Sequence, residues 1–252
     1  MKEKHFDINE EGCSIRCRIM TDSDNRTFPH VVICTHGFGG NKEAANITKF
    51  AEKYLGKHSK DAVIAFDWPC HGKDGRKKLE IRECLQYLRL VISYAKNGLQ
   101  AQDVFDYSVS MGGYMTLLYI HENGNPFRRI ALRAPSVRMY DAMMEKFSAD
   151  DLAKLQKGKE VETGFERKMK VSQSLLDELK EKDVRKYAYI DWAEDMLVIH
   201  GTKDETVDIE DSRRFCDDNI IELKEVEGAD HTFHDPKLMD IAIHDIVEFF
   251  SV

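Results

Sequence analysis

Three side-chain types that together perform nucleophilic acyl transfer stand in this chain in the order serine, aspartate, histidine. Ser110 lies in Ser108-Val109-Ser110-Met111-Gly112-Gly113, between an apolar run and a helical pattern. That strand–turn–helix setting is what a nucleophile elbow of the G-x-S-x-G kind needs. The turn is tight enough to strain the backbone of the nucleophile, so the residues two before and two after it must be small. Gly112 meets this demand, and Gly113 lets the helix pack closely; Ser108 replaces the usual glycine with another small residue. The alternative is an ordinary strand-to-helix turn.

Asp204 follows the apolar run Met196–His200, in His200-Gly201-Thr202-Lys203-Asp204-Glu205-Thr206-Val207. A carboxylate at the C-terminal edge of a strand can accept Nδ1–H from a histidine, fixing its tautomer and stabilising the imidazolium. Glu205 and Asp208 are nearby rivals for that role. His231, in Glu227-Gly228-Ala229-Asp230-His231-Thr232-Phe233, comes one strand later and before the last helix, with His234 as its rival. Acyl transfer also builds charge on the carbonyl oxygen, which two backbone N–H groups can hold. Met111, next after the serine, supplies one. Phe38, in His36-Gly37-Phe38-Gly39-Gly40, is placed to supply the other, because the flanking glycines free that loop to turn its amide inward. His36 reads as an organiser of this loop rather than as a base; a plain glycine turn is the alternative for the whole segment. A histidine base predicts a rate that falls on acidification, since an ordinary imidazole titrates near roughly 6.5. The chemistry calls for no metal and no organic cofactor.

These residues need a scaffold, and the hydrophobic pattern supplies one. Apolar runs alternate with helical spacing, which predicts an α/β fold with a mostly parallel sheet covered by helices. His5–Asn9 and Ser14–Ile19 alternate as an antiparallel hairpin at a sheet edge. Buried strands are expected at Val31–Thr35, Ala62–Phe66, Val104–Val109, Ile130–Leu132 and Met196–His200, and a last, alternating one at Ile221–Val226. Helices are expected at Asn46–Leu55, Ile81–Lys96, Met115–His121, Asp208–Asp218 and Ile241–Phe250. Between Pro135 and Ala193 the chain turns charged and strand-poor, with helical stretches at Asp150–Lys157 and Phe165–Lys182. No Pro/Gly/Ser linker flanks this segment, so residues 1–252 read as one domain with a helical insertion over 135–193. Its aromatics and methionines (Met139, Tyr140, Met143, Met144, Phe147, Phe165) either line a pocket or pack among themselves.

Composition narrows the function classes. The 252 residues are 42% hydrophobic and 33% charged, with a formal net charge of −8. Such an acidic balance suits no nucleic-acid partner, and the short Arg76-Lys77-Lys78 run is no basic stripe. No stretch is apolar enough to span a membrane, and the N-terminus shows no signal peptide. The six cysteines form no C-x-x-C pair; they read as reduced thiols in a cytoplasmic protein, and Cys13 with Cys17 is too sparse a set for a metal.

The motifs H-G-F-G-G, F-D-W-P-C-H-G, S-V-S-M-G-G, H-G-T-K-D-E-T-V and G-A-D-H-T-F together resemble the α/β-hydrolase superfamily, from about Val31 to the C-terminus. The chain looks closest to small bacterial cinnamoyl and feruloyl esterases and to monoacylglycerol-lipase-like serine hydrolases. The resemblance implies Ser110, Asp204 and His231 as a catalytic triad, Phe38 and Met111 as oxyanion donors, and a helical cap over Pro135–Ala193. It implies hydrolysis of a small-molecule ester through an acyl-enzyme. His71 falls in a structural loop motif, Asp67–Gly72. Feruloyl-type elbows carry histidine before and glutamine after the serine, whereas Val109 and Met111 stand here, a departure that bears on the acyl group and not on the chemistry. A thioesterase or serine peptidase with the same triad, and a silent hydrolase fold used for binding, are the competing readings.

Overall fold

The computed structural model describes residues 1–164 and 167–251. The chain opens with β1 (Lys2–Glu10) and β2 (Cys13–Thr21), an antiparallel pair joined at Glu11 and Gly12. Both joining residues have positive φ, 50° and 77°, as a two-residue turn of the primed type requires. Then follow β3 (His30–Thr35), α1 (Ala45–Lys57), β4 (Ala62–Phe66), α2 (Ile81–Ser93), β5 (Asp103–Val109), α3 (Met111–Asn123) and β6 (Arg129–Arg133). After β6 the insertion holds α4 (Met139–Met144), α5 (Ala149–Gln156), β7 (Val161–Thr163), β8 (Met169–Val171) and α6 (Gln173–Glu181). The chain closes with β9 (Met196–Gly201), α7 (Ile209–Asn219), β10 (Glu222–Val226) and α8 (Pro236–Phe250).

Eight strands form one sheet in the order β1-β2-β4-β3-β5-β6-β9-β10. β2 runs antiparallel to β4, and every pair from β4 to β10 is parallel. Parallel strands covered on both faces read as continuous apolar runs, and all five residues of β4 are buried. Alternate side chains feed two cores. Ile33, Ile64, Leu132 and Val198 meet α2, α3 and α7 on one face. Val32, Val63, Ala131 and Ile199 meet α1 and α8 on the other. The parallel order leaves the C-terminal ends of β3, β5, β6, β9 and β10 along one edge, and the loops of interest all leave from it. No helix among the described residues is long and apolar enough to cross a membrane.

Several elements differ from the expectation. The helix at Ile81 ends at Ser93, and Tyr94–Gly98 continues as a wider π-turn. α3 starts at Met111 rather than Met115, because Gly112 and Gly113 blank the apolar pattern of its first turn. α8 starts at Pro236, with Asp235 accepting from the Lys237 N–H as its cap. The insertion is strand-poor as expected but not strand-free: β7 and β8 pair as a short antiparallel hairpin, with Val161, Met169 and Val171 buried. Three-residue strands are too short to announce themselves by alternation. The helix expected from Phe165 therefore begins only at Gln173, where Ser172 accepts from the Leu175 N–H. Phe165 itself lies outside the described residues. The short α4 was not expected at all.

Candidate active site

The turn between β5 and α3 carries Ser110 at φ 54° and ψ −115°. That conformation is costly for a side-chain-bearing residue and survives only where its surroundings enforce it. The Ser110 N–H donates to the carbonyl of Arg133 at 3.1 Å, and the Ser110 carbonyl accepts from the Ser136 N–H at 3.1 Å. The need for small neighbours is literal here. A Cβ on Gly112 would stand 2.1 Å from Thr35 Oγ1, and one on Gly113 would stand 2.9 Å from Pro135 Cβ.

Ser108, the departure from glycine, has a use of its own. Its buried hydroxyl accepts from Thr35 Oγ1 at 2.8 Å, donates to Asp106 Oδ2 at 2.7 Å and lies 2.9 Å from Thr116 Oγ1. Burial pushes the Asp106 carboxyl up to about 8, with the hydrogen bonds from Ser108 and Thr116 pulling the other way. A neutral carboxyl and three hydroxyls thus tie β5 to β3 and α3 directly beneath the elbow.

The structure brings the three side chains singled out in the sequence into one hydrogen-bonded line. His231 Nε2 is 3.1 Å from Ser110 Oγ, and His231 Nδ1 is 2.6 Å from Asp204 Oδ2. The carboxylate of Asp204 is fully buried and its other oxygen accepts from the Thr206 and Val207 N–H groups at 2.8 and 2.9 Å. Burial opposes its charge, but hydrogen bonds from His200 and His231 override it and hold the carboxyl well below the usual range. The rivals lie elsewhere: Glu205 is exposed, Asp208 caps α7 through the Glu210 N–H, and His234 pairs with Asp230.

His200 is the residue that the sequence reading missed. It ends the apolar run of β9 fully buried, with Nε2 3.1 Å from Asp204 Oδ2 and Nδ1 2.7 Å from Ser212 Oγ. A histidine at the end of an otherwise apolar strand, four residues before the aspartate, was the available signal.

The His36–Gly40 loop also lies at this edge. Gly40 N–H closes a turn on the Gly37 carbonyl at 3.0 Å, with Gly39 at φ 80°. Phe38 thus occupies the second position of a type II-like turn, where its own N–H takes no part in the closing bond. Met111 opens α3, so its N–H belongs to the first turn and has no intrahelical acceptor. His36 donates from Nδ1 to the Gly37 carbonyl at 2.8 Å and accepts the Trp68 N–H on Nε2 at 3.2 Å. Burial, reinforced by the nearby His71, pushes it down to about 3, so it stays neutral and orders the loop. His71 is buried, bonded through Nδ1 to the Pro69 carbonyl at 2.8 Å, and out of line with Ser110.

Ser110, Phe38, Met111 and His231 share a cavity of about 570 Å³. The insertion supplies one wall through Met139, Met143 and Thr163. Tyr140, Met144 and Phe147 instead pack, partly buried, against the core. All six cysteines are unpaired thiols.

Residues 67–252 match the prolyl oligopeptidase family. No protein of curated function matches the chain in sequence. Among solved structures, Est1E from Butyrivibrio proteoclasticus, with ferulic acid bound, superposes with a TM-score of 0.77 at 19% identity over 97% of both chains. The monoacylglycerol lipase of Paleococcus ferrophilus gives 0.67 at 19% identity over 93% of this chain and 97% of that one. The Pyrococcus furiosus esterase Pf2001 gives 0.66 at 17% identity over 98% and 91%. At these identities the likeness establishes the fold, that of the α/β-hydrolases.

Proposed function

The chain belongs to the prolyl oligopeptidase family, and from that premise we propose that this serine hydrolase of the α/β-hydrolase fold cleaves carboxylic esters of small molecules, with Ser110 as nucleophile, His231 as base and Asp204 as the acid that orients it. The observation that carries the reading is the unbroken line Asp204–His231–Ser110, at 2.6 and 3.1 Å, opening on a cavity of about 570 Å³. A walled cavity of that size suits a small molecule rather than a long polypeptide segment. The solved structures it resembles include an esterase and a lipase, and one with ferulic acid bound.

In the mechanism, His231 Nε2 takes the Ser110 proton as Oγ bonds to the ester carbonyl carbon. The resulting oxyanion lies against the N–H groups of Phe38 and Met111. The carbon–oxygen bond to the alcohol then breaks, and the alcohol leaves with the proton from His231. Water repeats the sequence in reverse: it gives a proton to His231, attacks the acyl carbon, and Ser110 recovers its proton as the acid departs. The insertion, residues 135–193, acts as the cap that walls off bulk water.

The family name favours a second reading, cleavage of an amide by the same machinery. A fluorophosphonate probe and a matched ester, thioester and amide panel test both. The expected result is one adduct, on Ser110, absent in Ser110→Ala, with the ester turned over fastest. An unlabelled, folded protein would remove the hydrolase mechanism, and a faster amide would replace the esterase with a peptidase.

A further inference from the structure

The cavity above Ser110 is a cationic hollow in an acidic protein. The chain carries a net charge of −8. Among the described residues no Asp or Glu lines this cavity, while Arg133 and Lys146 do.

Arg133 is the informative one. It ends β6 and is only 3% exposed. Its Nε has no hydrogen-bond partner, and Nη1 reaches only Met239 Sδ, a weak acceptor, at 3.2 Å. The guanidinium otherwise rests 5.1 Å from the Phe233 ring. No carboxylate pairs with it among the described residues. The other buried arginine, Arg18, is answered by Glu3 and by Thr48. Arginine is seldom buried without an anion, because taking its charge out of water is costly unless a partner compensates.

The start of α1 faces the same space. Ala44 and Asn46 line the cavity, and this 13-residue helix has neither a side-chain cap nor an acidic residue in its first turn. Its free N–H groups present a positive end of about half a unit charge. A buried guanidinium and an uncapped helix start therefore line the same cavity as the nucleophile. Lys146, exposed at the mouth, adds attraction at longer range.

We propose that this cavity binds a carboxylate of the substrate, so that the ester cleaved at Ser110 is one whose acyl part carries a free acid group. The proposal rests on the esterase reading and names its substrate class. A guanidinium pairs with a carboxylate through two parallel N–H bonds, and the Nε of Arg133 is without a partner to make one of them.

The test compares 4-nitrophenyl hydrogen adipate with its methyl ester, which differ in that charge and in one methyl group. The wild-type protein is expected to prefer the acid by at least tenfold in kcat/KM. The Arg133→Met variant is expected to bring the ratio to about one or below. A wild-type preference for the methyl ester, or an equal loss on both substrates in the variant, would overturn the proposal. Because Arg133→Met can fail to fold, calorimetry on the wild-type protein gives a second readout. Adipate should bind, and bind more weakly in high salt, whereas 1,6-hexanediol should not. This titration needs no turnover: adipate binding without hydrolysis of either ester would sink the esterase reading alone. Equal binding of adipate and hexanediol would sink the anion site, and tighter binding of inorganic phosphate would overturn the carboxylate assignment.

Discussion

Replacing Asp204 by asparagine is the sharpest test of the hydrogen-bonded line, because the surroundings dictate how the amide must sit. The carboxylate accepts from four groups: the Thr206 and Val207 N–H on one oxygen, His200 and His231 on the other. An amide has one acceptor end. Two backbone N–H groups cannot turn, so the carbonyl stays with them and the NH₂ faces the histidines. His200 can keep its Nε2–H on the Val207 carbonyl, 3.1 Å away, and give up the bond to position 204. His231 must then offer Nδ1 as an acceptor and carry its proton on Nε2, the nitrogen 3.1 Å from Ser110 Oγ. In that tautomer it cannot take the serine proton. The same swap in a serine protease lowers kcat by about 10⁴, which is roughly 5.4 kcal/mol of barrier at about 1.36 kcal/mol per tenfold. We expect a loss of that order in kcat on a 4-nitrophenyl ester, with the circular dichroism spectrum unchanged. Asp204 also carries a stability signature. Its carboxyl titrates below its unfolded value of about 3.9, so its contribution is present above that pH and lost as pH falls further. The asparagine variant should lose this component of acid unfolding, followed by urea midpoints at pH 6 and pH 3. A variant that keeps more than about a tenth of wild-type kcat would refute the tautomer argument.

Three further outcomes are expected. Gly112→Ala puts a methyl 2.1 Å from Thr35 Oγ1; overpacking of about 1–3 kcal/mol should outweigh the roughly 1 kcal/mol that alanine gains in a helix. The urea midpoint should drop, and a raised one would show that the elbow has slack. Asp106 titrates at about 8 when folded, because it is buried, against about 3.9 unfolded. Stability from this group is therefore full below about pH 4, declines as pH rises towards 8 and then levels. Asp106→Asn should flatten the change in midpoint between pH 5 and 8, and an unchanged slope would show that the carboxyl is already ionised. Finally, burial holds His36 at about 3 and His71 at about 4, so both stay neutral above pH 5. The acid limb of kcat/KM should fall as a single ionisation; a two-proton limb would bring one of these histidines into the reaction.

How far the sequence was readable follows from what each part buries. The strands of the parallel sheet are covered on both faces, so Ala62–Phe66 and Met196–His200 stand out as unbroken apolar runs. The β7–β8 hairpin offers only three residues per strand, too few for an alternation, and it left no such trace. Ser110, Asp204 and His231 were readable because each sits in a short local pattern at the end of a strand. Asp106, Arg133 and His200 were not: Arg133 meets Met239 and Phe233 far along the chain, and Asp106 and His200, though bonded locally to Ser108 and Asp204, also depend on Thr116 and Ser212 of the following helices. They share a signal all the same: each is a charged or titratable residue within or at the end of a buried strand, where an apolar residue would cost less.

The backbone of Ser110 is held at both ends by the exit of β6, its N–H on Arg133 and its carbonyl on Ser136. Those two anchors bracket the point where the insertion begins. Reactivity and part of the selectivity therefore share one address in the chain: Arg133 and Ser136 clamp the serine through their backbones and line its cavity. The rest of the wall, Met139, Met143 and Thr163, lies beyond the clamp. A different insertion can be spliced in after Ser136 with the serine still held, and such a chimera would change that wall while keeping Arg133.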